Sequence, residues 1–139
     1  RLVVDQVVDS GVWVASFLGK DAWHERAQRF VGELEAHQHI CHLPSLVLIE
    51  TCGAIARQTQ GNPILEVGRV RRSFLAWEQA GLIHWYQLDQ GRVASAVDTS
   101  VQYRLKGADA VIVSLAQELN LPLKTFDMEI QQRYPNATT

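Results

Sequence analysis

Apolar positions along the chain fall into short clusters with two kinds of spacing. Leu2–Val8 is rich in Val and ends at Asp9-Ser10-Gly11, which predicts a strand running into a turn. A short apolar helix follows over Val12–Leu18, closed by Gly19. In Ala22–His37, Trp23, Ala27, Phe30 and Leu34 share one stripe while Glu25, Arg26, Arg29 and Glu33 lie off it, so an amphipathic helix is expected. His39–Leu43 reads as a strand, and Pro44-Ser45 starts a helix over Leu46–Gln60 that ends at Gly61. Pro63–Gln79 carries Ile64, Val67, Val70, Phe74 and Trp77 at helical spacing and stops at Gly81. A strand over Leu82–Leu88, a helix over Gln90–Leu105, an almost wholly apolar helix over Asp109–Leu119, a strand over Pro122–Phe126 and a short helix over Met128–Arg133 complete the chain. Strands alternating with helices imply crossover connections, hence an α/β fold with a parallel sheet covered by helices on both faces. With no repeats, low-complexity tracts or linkers, residues 1–139 are expected to form one domain.

Composition narrows the class. The 139 residues are 47% hydrophobic and 20% charged, with a formal net charge of −2, which excludes a disordered chain. Apolar runs such as Leu46–Ile49 and Ala110–Val113 are far too short to span a bilayer, which takes about 20 residues. Two cysteines, Cys41 and Cys52, sit in apolar segments, so buried free thiols in a reducing compartment are expected, and no signal-peptide pattern opens the chain. The start at Arg1, without an initiator Met, suggests a trimmed chain. A cytoplasmic location is the expectation. The acidic balance speaks, at first sight, against a nucleic-acid partner.

In parallel α/β sheets, ligands bind beyond the carboxyl ends of the strands. Asp9 follows the first strand, Asp127 follows the last, and Asp109 opens the apolar helix. Each of these acids could equally cap a helix, because Asp near a helix N-terminus satisfies orphan N–H groups. Glu50 cannot cap: it lies in the second turn of a helix that Leu46, Val47, Leu48 and Ile49 make apolar, with Gly53 and Ala54 leaving space on its face. A carboxylate there must be paired, for instance with Arg57, or hold a metal. Several acids at one site would suit Mg²⁺ or Mn²⁺, since all-oxygen ligation selects those ions over zinc. Such ions serve phosphoryl transfer and phosphodiester hydrolysis.

The segments VVDSGVWVASFL, PSLVLIETCGAIAR, YRLKGADAVIVSLA and LKTFDMEI, taken in order, resemble the PIN domain family, and within it the VapC-type toxins of bacterial toxin–antitoxin pairs. The family pattern falls on Asp9 with Ser10, Glu50, Asp109 with Ala110, and Thr125 with Asp127, and the similarity spans essentially the whole chain. The resemblance implies a parallel sheet of four or five strands between helices and a metal-dependent endoribonuclease. It implies one or two Mg²⁺ or Mn²⁺ ions held by Asp9, Glu50, Asp109 and Asp127, with Ser10 and Thr125 as supporting hydroxyls. It also implies an RNA substrate, a homodimer and an antitoxin partner. Family members often add a final strand, but this chain stops at PNATT, so the expectation is that the strand is truncated or absent. A non-cleaving PIN-like module that binds RNA or protein, and a PIN nuclease of RNA processing without an antitoxin, are the alternatives. Loss of acids would mark the former, and none is lost.

Other candidates weigh less. Asp5 reads as a residue at the start of its strand. His37, His39 and His42 straddle a helix end and a strand whose alternation sends His39 and His42 to opposite faces, against a zinc site. Arg57, Arg69 and Arg72 could contact RNA phosphates, although Arg69, Arg71 and Arg72 also suit a solvated helix face. Of the four tryptophans, three fit apolar stripes or strands, and Trp13, just beyond Asp9, is the one placed near the acids. Setting the four candidate ligands aside leaves 11 acids against 13 bases, so the net charge of −2 does not exclude RNA.

Overall fold

A computed structural model describes residues 2–139. The strands are β1 (Val4–Val8), β2 (His39–Pro44), β3 (Ile83–Tyr86), β4 (Leu123–Lys124) and β5 (Ala137–Thr138). The helices are α1 (Ser10–Phe17), α2 (His24–Glu35), α3 (Leu46–Gln58), α4 (Pro63–Gln79), α5 (Gln90–Tyr103), α6 (Gly107–Leu119) and α7 (Met128–Arg133). All five strands are parallel, in the order β3-β2-β1-β4-β5. The chain therefore steps from β1 to one side through β2 and β3, then returns to the other side of β1 for β4 and β5. The reversal at β1 and β4 is the switch point where such sheets open a crevice.

Strand alternation sorts the helices between the two faces. Gln6 points to α2, where its amide meets His39 Nδ1 at 2.8 Å while His39 Nε2 meets Glu33 of α2 at 2.8 Å. Asp5 points the other way, to His42 (2.8 Å), whose second nitrogen meets the Tyr86 hydroxyl at 2.7 Å under the Arg92 guanidinium of α5. His39 and His42 thus lie on opposite faces, as alternation predicts, and each is bound to a carboxylate of its own.

The core on the α2 face is aromatic. Trp13 is fully buried, with ring centroids 5.9 Å from Phe30, 5.1 Å from Phe74 and 5.5 Å from Trp77. This corrects the expectation that Trp13 stands near the acids: α1 turns its indole inward, away from the strand ends. Burying an aromatic side chain of this size contributes roughly 1.5–3 kcal/mol or more. Cys41 is fully buried and Cys52 only partly, and both are free thiols.

The last strand is also corrected. PNATT forms β5, with Leu123 paired to Ala137 and Lys124 to Thr138. Two residues carry no readable alternation, so the strand is defined by backbone bonds alone, including Thr125 N–H to the Thr138 carbonyl at 2.8 Å. No helix among the described residues is long and apolar enough to cross a membrane.

Candidate active site

The carboxyl end of β1 delivers Asp9 in extended backbone (φ −68°, ψ 153°) as the N-cap of α1. Its two oxygens have separate partners. Oδ1 accepts from Ser10 N–H at 2.8 Å, and Oδ2 accepts from the Thr125 hydroxyl at 2.8 Å. Thr125 is fully buried, and its hydroxyl oxygen accepts in turn from Asp127 N–H at 3.0 Å. One hydroxyl therefore ties the end of β1 to the loop after β4. Asp127 caps α7 through Oδ1, which accepts from Glu129 N–H (2.8 Å) and Ile130 N–H (3.3 Å). Capping and site-building are thus compatible for Asp9 and Asp127, because capping occupies only one oxygen of each.

Asp109 stands in the first turn of α6, where the helix dipole favours a carboxylate. Even so, its carboxyl is pushed up to about 6, first by burial, then by the charges of Asp9 and Asp127, with Lys106 opposing. Its Oδ2 is buried and has no hydrogen-bond partner among the described residues. Asp9 is also raised, by burial above all, against the lowering effect of the Thr125 and Ser10 hydrogen bonds. Glu50 is raised by burial and then by Asp9, while the Ser10 hydroxyl and Lys106 lower it and Asp109 raises it. The four acids therefore form one electrostatic cluster at the switch point.

Glu50 opens onto a groove of about 470 Å³ shared with Ser10, Asp21, Gly53 and Arg57. A Cβ at Gly53 or Gly11 would meet nothing within 4 Å, so the space beside Glu50 is real. Glu50 and Arg57 share this groove without an ion pair among the described residues. Arg69 and Arg72 lie on α4 outside it: Arg69 meets Glu66 at 3.4 Å, and Arg72 lines a different groove with Arg71 and Trp85.

The donor set suits a divalent cation. It is all carboxylate oxygen, its like charges raise one another, and one buried oxygen, Asp109 Oδ2, lacks a partner. Among the described residues no three acid, imidazole or thiol groups yet converge on a common ligand point. Mutual repulsion among the carboxylates favours this open arrangement. Two residues escaped the sequence reading. Lys106, the N-cap residue of α6, acts on both Glu50 and Asp109, and Asp21 lines the Glu50 groove. Three residues before Asp109, Lys106 looks like any exposed loop lysine, and only its place beside two acids distinguishes it.

The fold and site together define a single parallel α/β domain with an acid cluster at the switch point of its sheet. A family model described as PIN domain matches residues 7–135. The chain belongs to the PIN domain family. Solved structures agree on the fold. The chain is 19% identical to a toxin–antitoxin complex from Klebsiella pneumoniae, with a TM-score of 0.70 and 96% of each chain covered. It is 16% identical to VapC20 of Mycobacterium tuberculosis, a sarcin–ricin loop cleaving toxin, with a TM-score of 0.70 and coverage of 91% of this chain and 93% of that one. FitAcB from Neisseria gonorrhoeae is similar at 15% identity, TM-score 0.70, with 95% and 94% covered. No curated protein matches the chain.

Proposed function

We propose that this protein is a metal-dependent endoribonuclease that hydrolyses RNA phosphodiester bonds, and that it acts in the cytoplasm as the toxin of a toxin–antitoxin pair. The observation that carries this reading is the cluster of Asp9, Glu50, Asp109 and Asp127, with the carboxyls of Asp9, Glu50 and Asp109 raised and Asp109 Oδ2 unpartnered. These four side chains would hold one or two Mg²⁺ or Mn²⁺ ions. When bound, such a cation activates water as a nucleophile and neutralises charge developing on the phosphate.

The chain's own residues divide the remaining work. Thr125 fixes which way Asp9 faces by donating to Oδ2. Ser10 bears on both Asp9 and Glu50. Glu50, raised and open to the groove, would alternatively work through a water, as its orienter or proton acceptor, in place of binding the cation directly. Arg57 and Lys106 supply positive charge beside the acids for an incoming phosphate, and Arg69 and Arg72 on α4 would meet only flanking phosphates. The exposed apolar residues Val93, Val97 and Val101 along α5, with Leu88 just before it, offer protein-binding surface, which supports a homodimer and an antitoxin partner.

Cleavage of RNA with Mg²⁺ or Mn²⁺ and its loss on chelation test this reading. Asp9→Asn and Asp109→Asn should each lower cleavage at least 100-fold while the circular dichroism spectrum stays unchanged. Undiminished cleavage by both purified variants would refute it.

A further inference from the structure

Phe126 lies in the loop between Thr125 and Asp127, held on both sides by residues of the acid cluster. Its ring stacks on the indole of Trp23, with centroids 4.7 Å apart and planes 12° from parallel. Trp23 precedes the first turn of α2 and is 38% exposed, whereas Trp13 and Trp77 are buried and Trp85 is half-buried against Phe74. Two cations border the pair. The exposed Arg26 guanidinium is 5.4 Å from the Trp23 ring centroid, and Lys124 Nζ is 5.7 Å from that of Phe126. The Trp23 backbone N–H donates to Asp21 Oδ1 at 2.8 Å, and Asp21 lines the Glu50 groove. The indole is thus stacked on the loop that carries Thr125 and Asp127, while the Trp23 backbone is fixed by Asp21 at the edge of the Glu50 groove.

Of the four tryptophans, Trp23 is the one whose ring is exposed, and it is already backed on one face by an aromatic partner. An exposed indole with a guanidinium beside it suits a nucleobase and its phosphate, since every base has a face to stack and Arg supplies the charge. From these contacts we infer that Trp23, backed by Phe126, is the stacking platform for an unpaired base of single-stranded RNA next to the scissile phosphate, with Arg26 swinging off the indole to meet that nucleotide's phosphate. The inference rests on the ribonuclease reading, and it makes Trp23 a positioning residue that takes no part in proton or metal chemistry. It also selects unpaired RNA, because a base in a duplex has no free face to offer.

The test uses the full chain in the Asp109→Asn background, so that substrate is not consumed. Binding of a fluorescein-labelled single-stranded RNA heptamer is compared with that of an abasic heptamer carrying the same phosphates, by anisotropy. Trp23→Ala should weaken RNA binding about tenfold and leave abasic binding within about twofold, while Trp23→Phe restores most of the loss. Should Trp23→Ala fail to fold, Trp23→Leu keeps the packing against Phe126 without an aromatic face and is expected to show the same selective loss. Equal binding of RNA by parent and variant, or equal loss on both oligomers, overturns the inference. Cleavage by the wild-type protein keeps the two readings apart. If it cleaves RNA but Trp23 is indifferent, only the stacking platform falls; if it neither cleaves nor binds RNA, both fall.

Discussion

Replacing Asp109 by Asn is expected to stabilise the protein in chelator at neutral pH while abolishing the function proposed for it. Asp109 Oδ2 is buried without a partner, and Asp9, Asp127 and Glu129 all press against its charge. Moving a carboxyl from 3.8 to about 6 corresponds to about 3 kcal/mol against the charged form. Because the group is only part-buried, solvent screening reduces this to about 1–2 kcal/mol. The sign follows from proton uptake. Between pH 3.8 and about 6 the folded wild type holds a proton that its unfolded chain has released, so its stability falls as pH rises through that window. Above about 6 the penalty is complete. Asparagine carries no charge at any pH, so the variant's advantage should be absent near pH 3.8, grow through the window and level off above it. Urea unfolding at closely spaced pH values from 4 to 8, with chelator present, reads this directly. Near neutrality the gain should appear as a rise of roughly 3–8 °C in the melting temperature of a domain this size. Added Mg²⁺ should then stabilise the wild type by mass action and leave the variant behind. An advantage for asparagine that is the same at every pH, or a variant less stable than wild type at pH 7, would refute the electrostatic account of the cluster.

Two further substitutions probe how the site is held. Thr125→Val keeps the shape but removes the hydroxyl that joins Asp9 Oδ2 to Asp127 N–H; a loss of about 1.5–3 kcal/mol in urea unfolding is expected. Asp9 also loses a hydrogen bond that lowers its carboxyl, so the acidic limb of the cleavage–pH profile should move to higher pH. Deleting residues 136–139 removes β5 and leaves Thr125 N–H without the Thr138 carbonyl. We expect a loss of about 1–3 kcal/mol and faster amide exchange in the loop that carries Thr125 and Asp127.

Where a residue's own chemistry sets an element end, sequence and structure coincide. Helix α4 runs from Pro63 to Gln79 in both, because the Asn62 side chain accepts from Ile64 and Leu65 N–H, Pro63 suits the first helical position, and Gly81 takes a positive φ of 78° beyond the end. Where pairing or packing decides, the two diverge. The strand expected over Pro122–Phe126 shrinks to Leu123–Lys124: Thr125 N–H still reaches the Thr138 carbonyl, but its hydroxyl accepts from Asp127 N–H and the chain turns there into α7. Helix α6 begins at Gly107, two residues before Asp109, because the preceding backbone already has the capping geometry and the glycine does not interrupt it. Trp23 belongs to the apolar stripe of α2 by spacing, yet α2 starts at His24, so the indole falls beyond the part of the stripe that the sheet covers. The four acids could be read from the sequence in order but not in space. Their meeting depends on β4 returning to the far side of β1, and no periodicity along the chain encodes that strand order.

The same strand order bears on how an acidic protein would hold RNA, as the proposed function requires. An acid cluster repels phosphate, and the cations beside it are few: Lys106 and Arg57 at the groove, Arg26 and Lys124 at the aromatic pair. A formal net charge of −2 gives the chain as a whole no excess of positive charge for the counterion-release affinity on which duplex binders depend. Attraction must then come from terms that repulsion does not cancel. One is a divalent cation seated among the acids, which reverses the local charge. The other is stacking, which is indifferent to charge and needs only an exposed aromatic face. Because β1 and β4 are neighbours, the loop that brings Asp127 towards Asp9 also brings Phe126 against Trp23, so on the proposed reading both terms would act on one nucleotide. On that reading, the strand order that crowds the acids together would also set the stacking face beside the bond to be cut.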